Sequence, residues 1–157
     1  MMSETIDSSL ASYLNKWLKE EETNYPFRFE QPRPELLFEA YNEGLADGLI
    51  GITVDKKTPN RVDMGLLLKF DSDYYKSYLL VKGGIRRQME KEIHSMVKHN
   101  GLVVILYPDA KHPKTAVIKR SLDGSKMIKR SIFATIDTLI TVSKDWKKIL
   151  SVFVVKE

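Results

Sequence analysis

Leu49-Ile50-Gly51-Ile52-Thr53-Val54 and Val62-Asp63-Met64-Gly65-Leu66-Leu67-Leu68-Lys69-Phe70 flank the segment Thr58-Pro59-Asn60. Two short apolar runs separated by turn residues predict a β-hairpin. Its second strand is nearly all apolar, which suits a strand with neighbours on both sides. Working outward from this hairpin, the hydrophobic period changes on either side. Before it, Tyr25, Phe27 and Phe29 alternate with Pro26, Arg28 and Glu30, a period of two that predicts a strand. Pro26 confines the start of that strand to a sheet edge or a terminus. Leu36 to Tyr41 is compatible with a short helix, with Pro34 in its first turn and Gly44 as its cap. It is equally compatible with a strand, and the sheet's need for a partner favours the strand.

The helical period dominates at three places. Ile6, Leu10, Tyr13, Leu14, Trp17 and Leu18 form one apolar stripe, with Ser3 or Thr5 as its cap. Glu20-Glu21-Glu22 lies at the end where the helix dipole disfavours acids. After the hairpin, Asp71-Ser72-Asp73 offers capping oxygens. Tyr78, Val81, Ile85, Met89, Ile93, Met96 and Val97 then make a second stripe, closed by Asn100-Gly101. Gly83-Gly84 interrupts it. Each glycine costs a helix interior about 1 kcal/mol against alanine, so either the helix breaks there or the backbone packs very close to the sheet. Leu102 to Tyr107 and Thr115 to Leu122 read as paired strands across a polar link. Asp123-Gly124-Ser125 starts a last helix carrying Ile128, Ile132, Ile136, Leu139, Trp146, Ile149, Leu150 and Phe153. The result is an α+β two-layer sandwich. An antiparallel sheet of about five strands packs with three helices in the order α-β-β-β(-β)-α-β-β-α.

The chain has 157 residues, 43% hydrophobic and 29% charged, and no cysteine. That length and composition predict one globular domain over residues 1–157, large enough to bury a core without staples. The absence of cysteine excludes disulfides and thiolate chemistry and fits a reducing cytoplasm. Met1 to Asp7 has neither a basic nor an apolar leader region, so no signal peptide is expected. The apolar runs are too short for a membrane span.

This element order resembles the type III secretion chaperone-like fold and a group of small uncharacterised prokaryotic proteins that share it. Trp17-Leu18-Lys19-Glu20-Glu21 at the end of the first helix and Arg120-Ser121-Leu122-Asp123-Gly124 before the last add to the likeness. The resemblance implies a non-enzymatic binding module, often dimeric. Secretion chaperones are usually acidic, whereas this chain has a net charge of +4.

Charge is uneven. Residues 1–70 hold 8 Lys/Arg and 12 Asp/Glu, and residues 71–157 hold 17 and 9. The basic stretch includes Lys98, His99, Lys111, His112, Lys114, Lys119, Arg120, Lys126, Lys129 and Arg130. Eight of these, Lys111, His112, Lys114, Lys119, Arg120, Lys126, Lys129 and Arg130, are candidate contacts to an anion or a nucleic acid. A solvated basic face is the simpler account of them, and Tyr107 is the only aromatic nearby. Glu90 and His94, four residues apart on one helix, lack the further ligands a metal needs. Asp71-Ser72-Asp73 is explained by capping. Lys82-Gly83-Gly84-Ile85-Arg86-Arg87 has the composition of a phosphate cradle but no Walker spacing. No cofactor, metal or catalytic constellation is indicated. The sequence points to a cytoplasmic module that binds a protein partner or itself as a homodimer, through a sheet edge or an apolar groove. A nucleic-acid-binding protein is the alternative, and a small enzyme a weaker one.

Overall fold

A computed structural model describes residues 2–69, 80–81, 83–107, 114–124 and 129–154. Among the described residues, three helices, α1 (Met2–Glu20), α2 (Gly83–His99) and α3 (Lys129–Val154), pack with six strands. The strands are β1 (Arg28–Phe29), β2 (Leu36–Ala46), β3 (Gly48–Asp55), β4 (Arg61–Lys69), β5 (Val103–Tyr107) and β6 (Thr115–Asp123). All neighbours are antiparallel, in the spatial order β1-β2-β3-β4-β6-β5. The element order is the predicted one with its optional strand present.

Alternation along the strands decides which face is covered. Ile50, Ile52 and Val54 of β3, Val62, Met64, Leu66 and Leu68 of β4, and Ala116 and Ile118 of β6 are all buried on one face. Leu10, Leu14 and Leu18 of α1 meet that face, as do Met89, Ile93 and Val97 of α2. So do Ile132, Ile136, Leu139, Val142, Trp146 and Leu150 of α3. Full burial of each Leu, Ile or Met stabilises by roughly 1.5–3 kcal/mol relative to exposure. The three helices therefore form a single layer, as the stripes predict. Two stripe residues differ. Tyr13 is 51% exposed and stacks on Trp17 at 5.5 Å, and Ile85 is 60% exposed on the first turn of α2. Tyr78 and Ile128 lie outside the described residues.

Residues 36–42 are strand, and β2 runs on to Ala46. Gly44, at φ 118°, does not cap a helix. It sits in an irregularity where Glu43 and Ala46 shift register against β3. Asn42 holds this bulge. Its side-chain amide donates to the Pro26 carbonyl at 2.7 Å, and its Oδ1 accepts from the Leu45 N–H at 3.0 Å. Gly48 then opens β3, where a Cβ would collide with the Leu67 carbonyl oxygen.

The Tyr25-to-Phe29 strand is shorter than its alternation suggests, because only Arg28 and Phe29 pair with β2. Pro26 has no N–H to give a ladder, and the Phe27 N–H turns back to the Tyr25 carbonyl. Tyr25 leaves the sheet for α3, its ring 4.8 Å from that of Phe133 and its hydroxyl donating to Asp137 at 2.9 Å. The acidic end of α1 has a cation of its own. Lys129 Nζ lies 3.1 Å from Glu20 and 2.9 Å from Glu21, tying the end of α1 to the start of α3.

At Gly83-Gly84 the helix breaks. α2 starts at Gly83, whose φ of +67° lies in the left-handed region. Close packing on the sheet is not the reason for the glycines. A Cβ at Gly83 would meet nothing within 4 Å, and at Gly84 only the Arg87 guanidinium. Asp71-Ser72-Asp73 and the phosphate-cradle residue Lys82 lie outside the described residues.

Replacing Asn42 with leucine leaves the Pro26 carbonyl and the Leu45 N–H, both in partly buried bonds, without their side-chain partner. The expected loss is about 1–3 kcal/mol, read as a lower urea midpoint with an unchanged slope.

Candidate interaction surface

The second face of the sheet carries no described helix. Register places its side chains in rows across the strands. Leu49, Leu67, Val117 and Ile105 are consecutive cross-strand neighbours, so one apolar row crosses four strands. The next row towards the other end is Tyr41, Gly51, Gly65, Lys119 and Val103. The Tyr41 ring lies over Gly51, where a Cβ would be 3.0 Å from its Cε1. Val103 is 58% exposed and Tyr107 47%, both on β5 at the sheet's edge. The sequence does carry a trace of this surface. Leu49–Val54 and Leu102–Tyr107 are nearly continuous in apolar residues, where a strand with one solvated polar face would alternate. The row itself was not legible, because it exists only once the strands are in register.

Among the described residues, the candidate anion-binding side chains do not gather at one place. Lys119 is exposed on the outer face, in register with Gly65 and Val103. Lys114, also exposed, precedes β6 five residues away, about 17 Å along an extended chain. Arg120 points to the helix layer. Its guanidinium donates to the carbonyls of Asn100 and Gly101 and, at 3.2 Å, to Thr135 Oγ1. It thereby closes the C-terminal end of α2, where unpaired carbonyls and a negative dipole attract a cation. Gly101 has φ +74°, and a Cβ there would sit 2.9 Å from Arg120 Nη2. Lys129 is engaged with Glu20 and Glu21, and Arg130 is exposed beside it on α3. Lys111, His112 and Lys126 lie outside the described residues. Glu90 pairs with Arg86 at 3.2 Å. Among the described residues, no three His, Asp or Glu side chains converge as metal ligands. No described helix is long and apolar enough to cross a membrane.

A polar cluster that no motif announces lies at the β2 end of the sheet. Glu39, on β2, is 7% exposed. Its carboxylate accepts from the Tyr41 hydroxyl and from the Arg33 N–H at 3.4 Å, and the Arg33 guanidinium is 3.3 Å away. Burial alone would push this carboxyl up. The Tyr41 hydroxyl and the Arg33 donors outweigh it and hold the carboxyl below its ordinary value. The Tyr41 hydroxyl moves up, through burial first and then through its bond to Glu39. The cluster pins the loop between β1 and β2 to the sheet. Beside it, an open groove of about 450 Å³ runs between Ala11, Ser12 and Asn15 of α1 and Phe29, Pro32 and Leu37. The groove holds no convergent set of acid, base and nucleophile, since its one buried carboxylate is already satisfied.

No family model matches the chain, and no curated protein sequence matches it. Among solved structures, the fold is similar to that of an uncharacterized protein from Methanothermobacter thermautotrophicus. The two align with a TM-score of 0.74 and 12% identity, covering 90% of this chain and 96% of that one. The likeness shows a shared α+β architecture.

Two variants test the roles assigned to these side chains. Arg120→Met leaves two carbonyls without their charged donor and is expected to cost about 1–3 kcal/mol in chemical denaturation. Glu39→Gln is expected to lower stability at neutral pH. The native carboxyl's pKa lies below its unfolded value, so its contribution is fully present above the ordinary glutamate pKa of about 4.3. It is lost as pH falls through the depressed native value, so the gap between wild type and variant narrows in acid, which melting curves at stepped pH measure.

Proposed function

We propose that this chain is a protein-interaction module that does no chemistry itself. It binds another protein, or a second copy of itself, through the outer face of its sheet and the β5 edge. The observation that carries this reading is the apolar row Leu49-Leu67-Val117-Ile105 running into exposed Val103 and Tyr107. Single exposed apolar residues are ordinary on a protein surface, whereas a contiguous set ending at an open strand edge is characteristic of interaction sites. The reading agrees with the chaperone-like binding role that the resemblance implies, and with a cytoplasmic setting for a cysteine-free chain. Nucleic-acid binding is the second reading, and exposed Lys114 and Lys119 with Tyr107 favour it. The engagement of Arg120 and Lys129 in contacts within the chain removes two of its phosphate contacts.

The test pairs wild type with Val103→Glu, a surface change expected to keep stability within about 1 kcal/mol. Sedimentation at rising concentration and affinity capture are run on both. Self-association or a saturable partner in wild type that the variant loses is the expected result. A wild-type monomer at all concentrations, with capture identical for both proteins, ends the reading.

A further inference from the structure

The two edges of this sheet are treated differently. At one edge β1 is only two residues long, Pro26 precedes it, and Pro32 and Pro34 follow. The Glu30 N–H turns inward to the Glu39 carbonyl, and the loop is tied down by Glu39 and Arg33. Short strands, prolines and covering loops are how soluble proteins stop an edge from recruiting another strand. β5, at the other edge, is five residues long, its nearest prolines, Pro108 and Pro113, lie outside the strand, and among the described residues no loop covers it. Val103-Val104-Ile105-Leu106-Tyr107 holds no charge and no proline, and among the described residues nothing pairs with its outer side. Half of its backbone donors and acceptors face outward by the geometry of an edge strand. Val104 and Leu106 pack against the core below, so the strand is held extended and in place before any partner arrives.

The surroundings of this edge state what it accepts. From His94 to Leu122 the chain holds five Lys/Arg and a single acid, Asp109. Lys98 at the end of α2, Lys119 beside Val103 and Lys114 beside Tyr107 are exposed, and no described carboxylate is paired with any of them. They stand near both ends of β5, and Lys119 lies on the outer face. A second copy docking edge to edge would bring the same lysines to both sides of one contact, because a two-fold interface meets itself. Like charge around a shared strand opposes that pairing, and opposite charge favours a different occupant.

We propose that β5 is a strand-addition site for an extended segment of another protein, with alternating apolar residues flanked by Asp and Glu. The segment adds as a seventh strand over the five residues Val103–Tyr107, about 17 Å. Backbone hydrogen bonds supply a sequence-independent part of the affinity. One side-chain row of the segment extends the Val103-Ile105-Tyr107 side of the outer face, and its carboxylates meet Lys114 and Lys119. This rests on the protein-interaction reading above and specifies its partner.

Fluorescence anisotropy at low salt, with labelled synthetic peptides and the full chain, tests it. The probes are a Val/Thr/Ile core flanked by glutamates, the same core flanked by lysines, the acidic peptide N-methylated at alternate amides, and a short single-stranded RNA. Amide exchange of β5 is followed in parallel. The acidic peptide is expected to bind at least about tenfold tighter than the lysine-flanked one, through charge complementarity. N-methylation should abolish binding, and the Val103–Tyr107 amides should gain protection on saturation. A Lys114→Glu/Lys119→Glu variant with an unchanged circular dichroism spectrum should reverse the peptide preference. Equal binding of both peptides, no binding of either, or retention of the RNA alone overturns the proposal. If the peptides fail but the β5 amides become protected as the chain self-associates, the acidic-segment assignment falls and the interaction reading stands. If those amides exchange freely at every concentration and with every probe, the strand-addition site falls, and the interaction reading falls with it when capture is also identical for wild type and Val103→Glu.

Discussion

The pairing of β4 with β6 is the constraint on which the rest of this structure depends. It runs without a register shift from Arg61↔Asp123 to Lys69↔Thr115. Leu66 lies beside Ile118 and Leu68 beside Ala116, all buried under the helices. A slip of one residue would turn Lys119 into the core and Ile118 out to solvent, because side chains alternate strictly along a strand. Removing an unpaired ammonium from water costs several kcal/mol, so this register has no near competitor. Once β6 is set against β4, β5 can only lie outside it. The β5 edge, the apolar row and the position of Arg120 are all consequences of that one ladder.

Polar side chains at the ends of the elements serve the same end. Asn42 joins the β2 bulge to the chain leading into β1, and the Ser143 hydroxyl on α3 accepts the Asp47 N–H at 3.3 Å. Arg120 closes α2, and Lys129 bridges α1 and α3. These contacts lie mostly where a helix or strand ends and backbone groups would otherwise lack partners. Exposed ion pairs such as that of Lys129 add little stability each. Their effect is to fix how the three helices sit over the sheet. The two sheet edges differ in the same terms: the β1 side is closed by prolines and Glu39, and among the described residues nothing pairs with the outer side of β5.

Much of this was legible in the chain. Helical spacing in Leu10-Leu14-Leu18 and Met89-Ile93-Val97 located the buried faces of α1 and α2, and the Thr58-Pro59-Asn60 turn located the β3–β4 hairpin. Gly83-Gly84 marked a real break in the helical pattern. The candidate surface was much less legible. Lys119 and Arg120 are adjacent basic residues in the sequence, yet one faces solvent and the other binds Asn100 and Gly101. Nothing local separates them, because the difference is set by β4 and α2, elements tens of residues away. Glu39 is equally unmarked, since its partners Arg33 and Tyr41 meet it only after the loop folds back.

The sequence by itself determined the element order, the apolar faces and the exclusion of thiol chemistry, because periodicity and composition are local properties of the chain. Only the tertiary structure decided which strand became the sheet edge beside β6 and which described cations stayed exposed near it. Both depend on strand order and cross-strand register, which arise from the competition of many distant pairings and leave no signature in any single segment.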